Sequence, residues 1–179
     1  MVFENNREGI VQFAYELYLK IKRHGTPIFL CVGSDKWVCD SLAPIVAEIL
    51  KKEYNIGAYV YGGLDYNINA QNLVQAINYI ETVHKDCTVV LIDATLGESV
   101  GKIELKEGCF AGMGKCLPIK KIGTISILGV VGKYKNFDLN STRLKLIMEL
   151  SRFIAIGCFV AVEKYNQTNI DNEYKVSTK

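Results

Sequence analysis

The sequence predicts an α/β domain, a three-layer α/β/α sandwich built on a mostly parallel central sheet. Three observations predict it. Two short runs, Ile28 to Val32 and Thr88 to Ile92, are dominated by apolar residues without polar alternation, as expected of strands buried on both faces. Between and after them lie stretches whose apolar residues recur at the helical period. Strands alternating with helices in this way argue for parallel pairing, because each return crossover lays a helix on the sheet.

The elements follow in order. Ile10, Phe13, Ala14, Leu17 and Ile21 mark a first amphipathic helix from about Asn5 to Arg23, stopped by Gly25. Pro27 opens the first strand, Ile28 to Val32, which ends at Gly33. Leu42, Ile45, Val46, Ile49 and Leu50 fit a second helix, with Pro44 tolerated in its first turn. Ala58 to Tyr61 is a second short strand closed by Gly62 and Gly63, and Leu73, Ala76, Ile77, Ile80 and Val83 mark the next helix. Thr88 to Ile92 is the third strand, ending at Asp93. Gly101 to Leu105 and Thr124 to Val130 are further strands, joined by the irregular segment Gly108 to Pro118. Leu144, Ile147, Met148, Leu150, Ile154 and Cys158 define a long last helix. Residues 1–165 are expected to form one domain, and the polar tail 166–179 to be loose.

Composition narrows the function classes. With 21 Lys+Arg against 19 Asp+Glu dispersed along 179 residues, no basic face for nucleic acid is expected. The longest apolar run, Phe153 to Val162, is half the roughly 20 residues that span a bilayer, so no membrane partner is expected. The amino terminus, MVFENNREGI, carries acids where a secretory signal carries a basic head, which points to the cytoplasm. Six scattered cysteines without a CxxC pair read as free thiols. Gly112-Met113-Gly114-Lys115 lacks the spacing of a phosphate loop.

In open parallel sheets, ligands meet the protein beyond the carboxyl ends of the strands. Two loops qualify here, CVGSDKWVCDSLAP from Cys31 to Pro44 and LIDATLG from Leu91 to Gly97. If their strands are neighbours, about 4.8 Å apart, Asp40 and Asp93 converge on one small volume. Two carboxylates so placed do not both ionise cheaply, so one holds its proton near neutral pH while the other stays charged. That split supplies an acid and a base for amide hydrolysis: the ionised member activates a water and the protonated member polarises the carbonyl. The equally weighted alternative is structural, with Asp40 or Ser41 capping a helix and Asp93 tying down a strand-end loop.

Other residues carry a functional and a bland reading side by side. Ser34 and Asp35 shape the first loop through side-chain to backbone hydrogen bonds, and Asp35 is either a third acid or a solvated turn residue. Asp65 and Asn72 are pocket-wall candidates at the second strand end, or turn and cap residues. Arg143 either holds a partner's carboxylate or lies exposed at a helix start. Cys39 stands beside Asp40 at a helix start, but no histidine base can be assigned to it.

The segment Val32-Gly-Ser-Asp-Lys-Trp-Val-Cys-Asp-Ser-Leu-Ala-Pro44 resembles the Gly-Thr-Asp-Arg…Gly-Asp-Ser-Leu-Gly-Pro signature of the YyaC-type sporulation proteins. Tyr61-Gly-Gly-Leu-Asp65 with Asn72-Leu73, Ile92-Asp-Ala-Thr-Leu-Gly97 with Ser99-Val-Gly101, the region from Lys115-Cys-Leu-Pro118 to Gly129, and Ser141-Thr-Arg-Leu144 agree with it. The similarity runs from Pro27 to about Gly157. That family is similar to the spore germination protease and, more remotely, to the hydrogenase maturation endopeptidases, so the resemblance implies their phosphorylase/hydrolase-like three-layer fold. It also implies that Asp40 and Asp93 stand where the germination protease carries its functional aspartates. The expected function is then a sporulation-associated endopeptidase acting on a protein or peptide, small spore proteins among the candidates, with a homo-oligomer left open. The alternative is a non-catalytic descendant that binds a peptide or protein during spore development.

Three departures bear on that choice. Ala43 replaces the glycine before Pro44, Trp37, Val38 and Cys39 are bulkier than the usual small residues, and Asn69 stands where the family usually has a histidine. The maturation endopeptidases hold nickel through two acids and a histidine downstream of the second. Here His24 and His84 both precede Asp93, so no metal and no cofactor are expected.

Overall fold

The computed structural model describes residues 1–85, 87–108, 110–111, 115–116, 124–135 and 137–177. The two apolar runs become β2 (Thr26–Cys31) and β4 (Cys87–Leu96), which pair in parallel from Thr26 opposite Cys87 to Cys31 opposite Ile92. On the far side of β2 lies the short parallel strand β3 (Tyr59–Tyr61). On the far side of β4 lies β8 (Thr124–Gly132), also parallel. Beyond β8 the direction reverses: β5 (Ile103–Glu107) runs antiparallel to it, and β1 (Val2–Phe3) antiparallel to β5. The six-stranded order is β1-β5-β8-β4-β2-β3. A small hairpin, β6 (Phe110–Ala111) with β7 (Lys115–Cys116), stands apart from it. The remainder of the irregular segment from Gly108, namely Cys109, residues 112–114 and 117–118, lies outside the described residues.

Helices cover both faces. α1 (Arg7–His24) is capped by Asn6, whose Oδ1 accepts the Gly9 N–H at 2.8 Å, and it stops at Gly25, which takes φ +101°. α2 (Leu42–Glu48) runs into a π-helical turn, Ile49–Glu53. α4 (Leu144–Ser177) completes this layer with α1 and α2. α3 (Leu73–Val83) covers the opposite face. Side chains alternate across each strand, so Phe29, Cys31, Val90, Ile92, Ile125 and Ile127 meet α1, α2 and α4, while Ile28, Leu30, Val89 and Leu91 meet α3. Each fully buried Leu, Ile or Phe contributes roughly 1.5–3 kcal/mol relative to exposure. Gly157 lets the Phe13 ring lie on α4, where it packs at 5.5 Å from both Phe3 and Phe153.

Four differences from the expected elements have physical reasons. β1 is too short to leave a periodic signal, and its pairing with β5 holds it. β5 begins at Ile103 rather than Gly101, because Gly101 takes φ +88° in a turn. β4 does not end at Asp93 but continues to Leu96, since β8 pairs with it that far, with a register shift between Thr95 and Leu96. The residues after Asn166, expected to be loose, continue α4 to Ser177. The start of that extension is held to α1, with the Thr168 hydroxyl 3.2 Å from the Tyr18 hydroxyl, and just before it the Lys164 ammonium lies 4.9 Å from the Tyr15 and Tyr18 rings. Among the described residues, no helix is long and apolar enough to cross a membrane.

Candidate active site

The site begins where β2 ends. The Val32 N–H still donates to the Ile92 carbonyl at 2.9 Å, and the chain then turns away: the Gly33 N–H donates to the Ile68 carbonyl at 2.8 Å. Gly33 takes φ +152°, and a Cβ there would overlap the Asp40 carbonyl oxygen and come within 3.0 Å of the Pro44 ring. Only glycine lets the loop fold back so closely. The Ser34 N–H closes it on the Asp40 carbonyl at 3.0 Å, and a 3-10 turn, Val38–Asp40, delivers the Asp40 side chain ahead of α2. Ser41 occupies the N-cap position of α2, yet its hydroxyl donates back to the Val38 carbonyl at 2.8 Å, and no side chain caps the helix. The capping alternative therefore does not account for this acid-bearing turn.

Asp93 arrives from the neighbouring strand. It follows Val89 and Leu91 in alternation, which directs its side chain to the α3 face, and it is 5% exposed. One of its oxygens accepts the Ala94 N–H at 2.7 Å. Asp40 and Asp93 line a single cleft of about 550 Å³. Its walls come from the loop after β2 (Trp37, Cys39), the loop before α3 (Asn69, Ala70), the end of β4 (Ala94, Thr95, Leu96) and the segment after β8 (Phe137, Leu139). That volume falls within the range of about 300–1,000 Å³ typical of ligand sites.

Burial sets the electrostatics. Asp40 is half-buried, and desolvation raises its carboxyl above the ordinary aspartate range, opposed by the Ser34 backbone N–H. Desolvation and the adjacent Asp40 charge likewise push the Cys39 thiol up, which leaves it a poor nucleophile.

Ser34, Asp35, Asp65, Asn72 and Arg143, the binding candidates from the sequence, do not line the cleft; several of them build its frame. Ser34 is buried, and its Oγ accepts the Lys36 N–H at 3.3 Å. The Asp35 side chain is exposed, while its N–H donates to Asn67 Oδ1 at 2.9 Å. Asn72 closes the loop before α3: its Oδ1 accepts the Asn69 N–H at 2.8 Å, and its Nδ2 donates to the Asn67 carbonyl at 2.9 Å. Asp65 lies in solvent, 3.5 Å from Lys52 Nζ. Arg143 is exposed just before α4. The sequence reading had no means of finding Phe137, Leu139 and Leu96, because scattered apolar residues near a strand end look like any other core or loop position. Asn67 is equally hidden, as one of four asparagines between positions 67 and 78.

The donor set does not suit a soft transition metal. Asp40 and Asp93 offer oxygens only, and His84 is buried elsewhere, with Nε2 2.6 Å from the Tyr61 hydroxyl. No group of three or more His, Cys, Asp and Glu side chains among the described residues could hold a metal ion.

Comparison with known proteins fits this architecture. The [NiFe] hydrogenase maturation protease HycI from Thermococcus kodakarensis KOD1 superposes with a TM-score of 0.59 over 83% of this chain and 99% of that one, at 17% identity, so the two share a fold. The uncharacterized protein YyaC of Bacillus subtilis (strain 168) is 37% identical over 145 residues, 76% of this chain and 70% of its own. The family model described as "Protein of unknown function (DUF1256)" matches residues 1–157, and the chain belongs to that family.

Proposed function

We propose that the protein is an endopeptidase that hydrolyses a peptide bond with Asp40 and Asp93 as its acid and base. The observation that carries this reading is that Asp40, from the loop after β2, and Asp93, on the adjacent parallel strand β4, line one ligand-sized cleft. Asp40, whose carboxyl burial raises above the ordinary aspartate range, is the member of the pair better suited to donate a hydrogen bond to the scissile carbonyl and then a proton to the leaving amine. Asp93, one oxygen of which already accepts an amide hydrogen, is suited to the carboxylate's part. It takes a proton from a water whose oxygen bonds to the carbonyl carbon. The carbon–nitrogen bond then breaks, the amine leaves with the proton from Asp40, and the proton on Asp93 returns to Asp40 through solvent. Both carboxyl groups end as they began. The fold shared with a maturation protease is compatible with this chemistry. A cytoplasmic role in sporulation follows only from what the signature resemblance implies, and small spore proteins are the first substrates to offer.

A second reading has its own observation. Asn69 lines the cleft, and its Oδ1 accepts the Gln71 N–H at 3.0 Å, so it serves the loop rather than proton transfer. A binding protein without hydrolytic activity would look the same there. The two readings separate on one experiment: purified protein is incubated with small spore proteins and a broad peptide library, and the fragments are identified by mass spectrometry. Cleavage that falls about 10²–10⁴-fold in Asp40→Asn and in Asp93→Asn supports the peptidase. Absence of cleavage, or cleavage indifferent to both substitutions, removes it.

A further inference from the structure

The sheet edge inside the cleft has a feature that a pair of acids alone does not explain. β4 outruns β2: the last β2 partner is Cys31, opposite Ile92, whereas β4 continues to Leu96. The amides that follow Val32 do not extend the pairing. Those of Gly33, Ser34 and Asp35 donate to the Ile68 carbonyl, the Asp40 carbonyl and Asn67 Oδ1 at 2.8, 3.0 and 2.9 Å. Because the Ile92 carbonyl receives Val32, strand alternation turns the Ala94 carbonyl to the same side, into the place β2 has left. Ala94 lines the cleft there, next to Asp93.

The walls opposite are apolar. Trp37 and Leu139 both line the cleft and are 46% exposed each, which gives its wall large apolar surface open to an incoming ligand. Leu73, Leu96 and Phe137 add further carbon surface. A vacated strand position offering a backbone carbonyl, bounded by such walls, suits one kind of occupant. An extended polypeptide adds as a strand and supplies a backbone N–H to Ala94, while its side chains alternate between the sheet and the solvent.

We propose that the cleft binds its polypeptide as a short added strand beside Ala94–Leu96, with an apolar side chain seated against Trp37 and Leu139. This rests on the reading of the cleft as a peptide site and names its selectivity: an extended segment with an aliphatic or aromatic residue at one fixed position. Folded, helical or purely polar segments are poor ligands.

Trp37 is the chain's single tryptophan, so its emission reports occupancy directly. The experiment titrates Asp93→Asn protein and the unaltered protein with capped alanine hexapeptides carrying one leucine, with the same peptides carrying serine instead, and with a leucine series methylated at each backbone nitrogen in turn. The leucine peptide should shift Trp37 emission to the blue and bind about tenfold or more tighter than the serine peptide. One N-methyl position should weaken it about tenfold, and the others much less. Leu139→Ser, at an exposed position that folding does not need, should abolish most of the leucine preference. Leucine and serine peptides binding alike, or N-methyl losses spread evenly, would overturn the proposal. Selective binding without any cleavage keeps this inference and removes the peptidase. Cleavage without apolar or backbone selectivity does the reverse.

Discussion

β4 is one strand with two characters. From Val89 to Ile92 it is paired on both edges, and these four residues are no more than 1% exposed. From Asp93 to Leu96 it is paired to β8 alone and lines a cleft. The change falls where the second neighbour ends. While both edges are paired and both faces covered, a polar side chain would be costly to bury, so the run is apolar. Once β2 turns away, the same strand can carry an acid without leaving the rigidity of the sheet. Core and site are thus separated by a step of one residue, and the step is made by β2, not by β4.

The comparison can be broken first through packing. Leu91→Ala, in the doubly paired half, should cost about 2–5 kcal/mol, because a fully buried side chain leaves a cavity that its neighbours only partly fill. In a chain of this size that lowers Tm by roughly 10 °C. Thr95→Val, in the singly paired half, loses a hydroxyl whose contact with the Leu96 carbonyl is long, at 3.4 Å, and should cost no more than about 1 kcal/mol. Chemical denaturation of the two variants reads the difference. Equal losses would mean that the second half is as tightly packed as the first.

Glycine substitutions sharpen it next. Gly33→Ala places a Cβ on the Asp40 carbonyl at a φ that side chains rarely adopt, and should cost about 1–3 kcal/mol while displacing the Asp40 turn. Gly97→Ala, at the other end of the singly paired half, meets only the Val130 side chain at 3.3 Å, and should cost less than about 1 kcal/mol. Trp37 emission should move in the first variant and stay in the second, because the Asp40 N–H donates to the Trp37 carbonyl and the two residues share one turn. An unchanged Trp37 signal in Gly33→Ala would show that this loop is not held by the close approach at Gly33.

These contrasts also explain what the sequence could convey. The doubly paired half is legible because five-residue apolar runs and helical periods are direct records of burial. The two aspartates stand out in the sequence because Asp93 directly follows one such run and Asp40 lies in the loop after the other, and the motif resemblance selects the same two. The length of β4 was not legible: Asp93-Ala-Thr-Leu96 reads as a loop, and its strand character comes from β8, more than 30 residues later in the chain. The same non-locality hid Phe137 and Leu139, which reach the cleft from the segment after β8. The frame around Asn67 was invisible because it joins the loop after β2 to the loop before α3 through one side chain. The tail after Asn166 reads as loose by composition, since its hold on α1 is the hydroxyl pair Thr168–Tyr18 rather than an apolar stripe.

The smallest effect concerns Asp40, which faces the singly paired half from outside the strand. Its carboxyl is raised above the unfolded value of about 3.8 by burial, so the folded state prefers the protonated form. The associated stability is fully present below the unfolded pKa and is lost as pH rises through the folded one. At neutral pH the wild-type protein therefore carries the cost of a desolvated carboxylate, and Asp40→Asn removes it. The variant should melt a few degrees higher at pH 7, and the gap should shrink toward zero as pH falls to about 4. Thermal melts of both proteins at several pH values between those limits measure it. A gap that widened on acidification would mean that the fold holds Asp40 as a carboxylate, and the role of acid would then have to pass to Asp93.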